Sequence, residues 1–491
     1  MWRIAALLLL ACTSLGRAEG KVYVLLWFDT EDYILPASDD AALRVAEFLT
    51  REGIRGTFKL VGHKARTLEK RKRFDVIEAL KKHEIGYHSN WHSVQPTPAM
   101  YASNLGWDEG AAEFERREGP GRDDVERIFG TKPTCYGQPG SSWCPQSYAT
   151  LKKWGQIYLD AGRHVSVEGR PCYYGGVFNL YQLTHTIRAD LNKPELFEEA
   201  CNRFVQARKE LLAEGGGIVS VVYHPCEWVH KQFWDGVNFA KGANPPMDQW
   251  KLPPQKTAEE TKRSYRIFTD YITFMKRFKD VEFITGSQAA KLWADRAQGR
   301  RFGPADLRAI ATRVGDDVTF QRRADHSLAA SEVFDLLLRY VNGRLADKKF
   351  DTVTLQGTPL GPTSPVAPLT ERITTDDSQF RRTCTDLAAY LDKHGRLPGT
   401  VWLGSTAVPP EAFLPALARV ALALLDGKPC PTSIEIKPTP FSVGKYVSPD
   451  DPKLWGWVIF PPGMKAPAMM DLARRQAWTL KPALLQAKSP E

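Results

Sequence analysis

No stretch of the chain approaches the roughly 20 consecutive apolar residues that a membrane-crossing helix needs. The apolar run Ile4 to Ala11, behind Arg3, is far shorter, so no transmembrane segment is expected beyond it. Blocks of five or six like charges are also missing, which argues against a nucleic-acid-binding arm. The short cluster Lys70, Arg71, Lys72, Arg73 reads as a solvated helix face. No two cysteines stand in a CxxC pair, which excludes a thiolate zinc site or a thioredoxin-like motif of that form. The Gly repeat of collagen and the polar bias of disorder are absent as well.

What is present is the composition of a packed protein: 491 residues, 43% hydrophobic and 25% charged. That length exceeds one ordinary core, so two domains are expected. The 66 Lys and Arg against 57 Asp and Glu leave a mild excess of +9, suited to work near anionic cell-surface polymers. Residues 1–18 read as a cleavable secretory signal, with cleavage after Ala18 and a secreted or periplasmic destination. The alternative is a lipobox over Leu9, Leu10, Ala11 and Cys12, which would anchor the protein by lipid at Cys12. Export makes disulfides possible among Cys135, Cys144, Cys172, Cys201, Cys226, Cys384 and Cys430, in a connectivity that spacing does not fix.

From Lys21 short apolar runs alternate with amphipathic ones. KVYVLLWFD, TFKLVG, EIGYH, PTCYGQP, IYLDAG, GIVSVVYHP and VEFITG read as strands, separated by helical stretches. Repeated alternation predicts parallel strands with helical crossovers, in the number a barrel of the βα type uses, over residues 19–298. The stretch QGRRFGPADL then reads as a linker, and residues 299–491 as a smaller, mainly helical domain. Within it SEVFDLLLRYVNGR and PEAFLPALARVALAL share Glu, Phe, Leu and Val at matching offsets, the pattern of an internal repeat.

Three polar clusters fall at predicted strand ends, where a barrel of this type carries its chemistry. FDTEDY supplies Asp29, Glu31 and Asp32; GYHSNWH supplies His88 and His92; VVYHPCEW supplies His224 and Glu227. Two imidazoles and a carboxylate are a common set for zinc or another borderline divalent metal. A second carboxylate would serve as general base and a further histidine as general acid.

These motifs resemble those of the polysaccharide deacetylases, the NodB-homology class of carbohydrate esterase family four. HEIGYHSNWH is the most specific match, WFDTED a looser one to the first motif, and VYH matches the last. The resemblance implies a distorted (β/α) barrel that hydrolyses an N-acetyl amide on an amino-sugar polysaccharide, with a divalent metal, zinc first. It implies Asp29 as base, His88 and His92 as metal ligands, His224 as acid, Asp160 of IYLDAG as the carboxylate assisting that histidine, and Ser89 as a supporting residue. Trp91, Tyr136, Pro139 and Trp143, beside the motifs, are expected with Ser89 to line the substrate.

Two departures stand out. Thr30 directly follows the base where the resemblance implies a carboxylate ligand, so Glu31 or Asp32 must serve; Glu31 is preferred, since residues two apart on an extended segment share a face. In the third motif, YGQPGSSW, Gly137 stands where an Arg normally keeps the base ionised and oriented, with Arg163 as a replacement. The stretch AAYLDKHGRLPGTVWLGSTAVPPEAFLPALARV is similar to pseudomurein-binding repeats, which implies a C-terminal module that binds a cell-wall polymer.

Overall fold

A computed structural model describes residues 20–347 and 349–486. The signal and the Cys12 lipobox read from the sequence lie outside these residues. Nine strands form the frame: β1 (Val22–Thr30), β2 (Thr57–Leu60), β3 (Glu84–Tyr87), β4 (Cys135–Tyr136), β5 (Ile157–Asp160), β6 (Cys172–Tyr174), β7 (Val177–Tyr181), β8 (Gly217–Tyr223) and β9 (Val281–Ile284). Their order is β6-β7-β5-β4-β3-β2-β1-β8, with β9 also on β1. All pairs are parallel except β6 with β7. The result is a curled, incompletely closed (β/α) barrel with helices on its convex side.

β1 organises the barrel because it pairs along both edges. Val22 to Phe28 run beside β8, Val22 to Leu25 also beside β9, and Trp27 to Thr30 beside β2. Every residue of β1 is buried, which explains its nearly continuous apolar sequence. Alternation still sorts its side chains by face. Val22, Val24, Leu26 and Phe28 enter the core under the helices, while Tyr23, Leu25 and Trp27 share a second core with Leu159, Leu180 and Trp293. Asp29 follows in this second series, at the carboxyl end of the strand.

The helix Trp107–Phe129 is not anticipated by the sequence pattern, because Gly119, Pro120 and Gly121 interrupt it. Packing overrides that local preference. A Cβ on Gly121 would come within 2.6 Å of the Asn90 side chain and 2.7 Å of the Tyr87 hydroxyl. The glycine therefore lets this helix approach the loop that carries His88 and His92.

A third large core lies beyond residue 297, built around the helices Ala330–Ala346, Asp377–His394 and Pro410–Leu425. The two resembling stretches are both helical and meet through Phe334 and Phe413. The expected linker is part of this structure: Phe302 is buried and pairs with Val353, and Pro304–Thr312 is a helix. After residue 441 the chain returns to the barrel. Val443, Val447, Trp455, Met469 and Leu480 join the barrel's main core, and Lys481–Pro482 adds an antiparallel strand to β6.

The possible disulfides are not formed. All seven described cysteines are free thiols, each buried. No helix among the described residues is long and apolar enough to cross a membrane.

Candidate metal centre and its surroundings

The parallel register of β1 to β3 sets the site. Asp29 lies opposite Lys59, and Lys59 opposite Gly86. Just beyond these positions Glu31 continues from β1, while His88 and His92 sit on the loop leaving β3. That loop turns through left-handed backbone at Ser89 (φ 65°) and His92 (φ 56°), a conformation other residues enter at a cost. The Ser89 hydroxyl steadies the turn by accepting from the His92 backbone N–H at 3.0 Å. Ser89 is buried, and it also lines the inner end of a groove beside Trp91.

Glu31, His88 and His92 bring three ligand atoms together. Oε2 of Glu31 lies 2.9 Å from Nε2 of His92 and 3.6 Å from Nε2 of His88. Nδ1 of His88 is 3.0 Å from the Gly137 carbonyl, which only accepts, so the proton sits on Nδ1 and the Nε2 lone pair is free. Nδ1 of His92 is 2.7 Å from the Ser93 hydroxyl, and its buried Nε2 has no hydrogen-bond partner. Two imidazole nitrogens and a carboxylate oxygen converging on one point are the donor set a divalent cation takes. Burial raises the Glu31 carboxyl, but the facing histidines outweigh it and hold the group well below its usual range.

The choice between the two carboxylates is resolved by the backbone. Asp32 turns away: its Oδ1 accepts from the N–H groups of Ile34 and Leu35, and Oδ2 lies 3.1 Å from His230 Nε2. It caps the start of the following segment and does not join the triad.

Asp29 stands beside this group. Its Oδ1 is 2.9 Å from the Lys59 ammonium and 3.5 Å from Nδ1 of His88, and its Oδ2 is 3.7 Å from Nε2 of His224. Burial raises its carboxyl, while His88, Lys59 and His224 more than offset that and keep it ionised. Asp29, His88 and Asp160 also converge closely enough to form a second possible cation set.

Lys59, and not Arg163, is the cation on Asp29. Arg163 is exposed on the surface, whereas the Lys59 side chain is 0% exposed. Its ammonium donates to the Leu159 carbonyl at 2.8 Å, faces Asp160 at 3.4 Å and lies over the Trp27 ring. A Cβ at Gly137 would fall 1.9 Å from that ammonium, so the glycine of the altered third motif is the space Lys59 fills. Gly86 clears the rest of the path, since its Cβ would meet Lys59 Cγ at 2.8 Å and Cys135 Sγ at 2.5 Å.

Asp160 belongs with Lys59 and Asp29, not with His224. Burial pushes its carboxyl up to about 7, with Lys59 opposing and Asp29 reinforcing. The carboxylate on His224 is Glu227, whose Oε1 lies 2.7 Å from Nδ1 and is itself held by Arg188 at 2.7 Å. Burial lowers the imidazole, but this bond and the Glu31, Glu227 and Asp29 charges raise it to about 9, so His224 carries a proton at neutral pH. Its side chain is 24% exposed, against 7% or less for Asp29, Glu31, His88 and His92.

The expected substrate-lining residues separate into two groups. Trp91 is 38% exposed, stacked on His63, and borders a groove of about 660 Å³ that runs from Ser89 and His92 to Asn244 and Trp250. Tyr136 and Trp143 point into the core, against Tyr158 and His164 respectively, and Pro139 is buried. Three residues at the site were not read from the sequence. Lys59 carries a faint signal, as the lone charge in a buried four-residue strand. Asp235 and Trp457 carry none: the Trp457 indole packs edge-on against His92 at 5.2 Å and donates to Asp235 at 2.6 Å.

No family model and no curated protein matches the chain. Among solved structures, one assigned as a polysaccharide deacetylase from Mycobacterium smegmatis is similar at 14% identity and TM-score 0.35, covering 56% of this chain and 90% of that one. A Puue allantoinase is similar at 12% and TM-score 0.35, with 56% and 91% covered. A family 4 carbohydrate esterase from Streptomyces lividans, in complex with acetate, has 16% identity and TM-score 0.27, with 53% and 90% covered.

Proposed function

We propose that this protein is a metal-dependent hydrolase that removes N-acetyl groups from an amino-sugar polysaccharide. The observation that carries the reading is the convergence of Glu31, His88 and His92 between an ionised carboxylate, Asp29, and a protonated imidazole, His224. A divalent ion, zinc first for this donor set, supplies Lewis acidity when bound. Around it the chain's own groups divide the proton work. Asp29, kept anionic by Lys59, accepts the proton of an attacking water. His224, oriented by Glu227, presents Nε2 towards the same space and delivers a proton to the departing amine. Trp91 and the groove beside it offer an aromatic surface for neighbouring sugar rings.

The export reading of residues 1–18 and the basic balance support work outside the cytoplasm among anionic envelope polymers. On this proposal residues 19–298 carry the chemistry and the helical region after them attaches the enzyme to its polymer. Purified protein should hold close to one equivalent of divalent metal and release acetate from N-acetylglucosamine oligomers, peptidoglycan or a related polymer. His88→Ala should lose the metal, and Asp29→Asn should keep it while losing turnover. Metal bound without acetate release from any polymer overturns the deacetylase reading, and opening of a small cyclic amide instead redirects it.

A further inference from the structure

The wall of the site next to His92 is made by the end of the chain. Residues from about 441 onward are laced into the barrel along their length. Ser166 and Tyr446 share a backbone hydrogen bond, as do Ser448 and His164; the Tyr174 hydroxyl donates to the Ala473 carbonyl; Lys241 and Gly242 donate to Val458 and Ile459. Ile459 is fully buried against Tyr33, Trp234 and Phe239. Between these anchors lies Trp457.

Its indole is held from three sides. The ring N–H donates to Asp235 at 2.6 Å, the backbone N–H donates to Ser141 Oγ at 3.1 Å, and Phe460 meets the ring edge-on at 5.8 Å. The motif loop is shaped to it as well: Gly140 has φ +50°, and a Cβ there would come 2.2 Å from the indole. The ring then meets His92 at 5.2 Å and 83°, on a histidine whose Nε2 faces Glu31. Because Asp235 takes the only N–H, the half-buried indole has C–H and π surface alone to offer, so it selects by shape and apolar contact.

We infer that Trp457 is a specificity-determining residue, a fixed wall beside His92 that limits the size of the acyl group admitted to the centre. The inference rests on the proposed hydrolase reading and adds the residue that sets its acyl selectivity. Hydrolysis of glucosamine oligomers carrying N-acetyl, N-propionyl or N-butyryl groups tests it, alongside carbethoxylation of His92 in metal-free protein, followed by peptide mass spectrometry.

Trp457→Ala should raise the butyryl-to-acetyl ratio of kcat/KM by about tenfold, the scale of a methylene-sized pocket change, and should make His92 react severalfold faster. Asp235→Asn, which loosens the indole, should shift both in the same direction by less, and Trp457→Phe least. These two milder variants carry the test if Trp457→Ala does not fold. Faster His92 reaction with an unchanged acyl ratio overturns the selectivity claim; no change in either, in a folded variant, overturns the wall itself. If the wild-type protein hydrolyses none of the series, the hydrolase reading fails and the acyl claim with it, while the His92 rate in metal-free protein still decides whether Trp457 shields the centre.

Discussion

Among the described residues two lysines have no exposed surface at all, and each faces two carboxylates. Lys481, on the terminal strand, meets Asp295 at 2.6 Å and both oxygens of Glu332 at 2.7 and 2.8 Å. Glu332 also accepts from Gln298, Thr358 and the Ala329 N–H, so the cluster is saturated. Lys59 meets Asp29 and Asp160, but there the second oxygen of Asp29 looks towards His224, beside the Glu31, His88 and His92 group. The same pairing therefore does different things. A closed cluster locks two regions of chain, whereas an open one holds a carboxylate ionised at the edge of a site. Removing either lysine strands a buried charge; what is lost depends on whether the carboxylate has other partners.

The largest effect should come from Lys481→Met. It leaves the buried Glu332 without a counter-charge, and breaking a buried pair from one side costs about 3–5 kcal/mol; chemical denaturation would measure the loss. Lys59→Met should act chiefly on rate. Metal content should hold while kcat falls by about 10²-fold, the range of a displaced general base, and Gly137→Arg in that background should restore part of the rate by returning a cation to the vacated space.

Glu118 sharpens the contrast, since it is a buried carboxylate whose close partners are neutral: the Asn90 N–H and the hydroxyls of Tyr87 and Tyr101. Burial raises its carboxyl to about 7. A raised folded-state value means the native protein holds its proton longer than the unfolded chain. Stability therefore falls as pH rises from about 4.5 to about 7, and the penalty is complete above that. Glu118→Gln should be nearly neutral at pH 4.5 and more stable than wild type by about 1–2 kcal/mol at pH 8, as read from thermal melts across pH. The smallest effect belongs to Arg163→Ala. That residue is exposed, so stability should stay within about 0.5 kcal/mol of wild type and the acetate release rate should be unchanged; a large rate loss would return the cation's role to Arg163.

The elements that chain-local patterns describe were legible. β1 shows as an apolar run, the helix Ala258–Lys276 as an amphipathic one, and HEIGYHSNWH marks a strand end with two imidazoles. The site was legible as far as those strand ends reach, so Asp29, Glu31, His88, His92 and His224 are found together. What was not legible is set by register and distance along the chain. Lys59 reaches Asp29 only because β1 and β2 pair in that register, and Trp457 stands 365 positions from the histidine it covers. Tyr136 and Trp143 lie beside motif residues in sequence, yet each faces the other side of its backbone, into packed aromatics.

The strand Lys481–Pro482 on β6 has a consequence for biosynthesis. Chains grow from the amino terminus, so the barrel's first 300 residues leave the ribosome with the β6 edge unpaired and the surface meant for residues 443–480 uncovered. An exposed strand edge invites pairing with other chains. The nascent protein thus passes through an association-prone stage that lasts until residues 443–482 arrive to cover the barrel and pair with β6, and a stop between the barrel and residue 443 would leave that stage permanent.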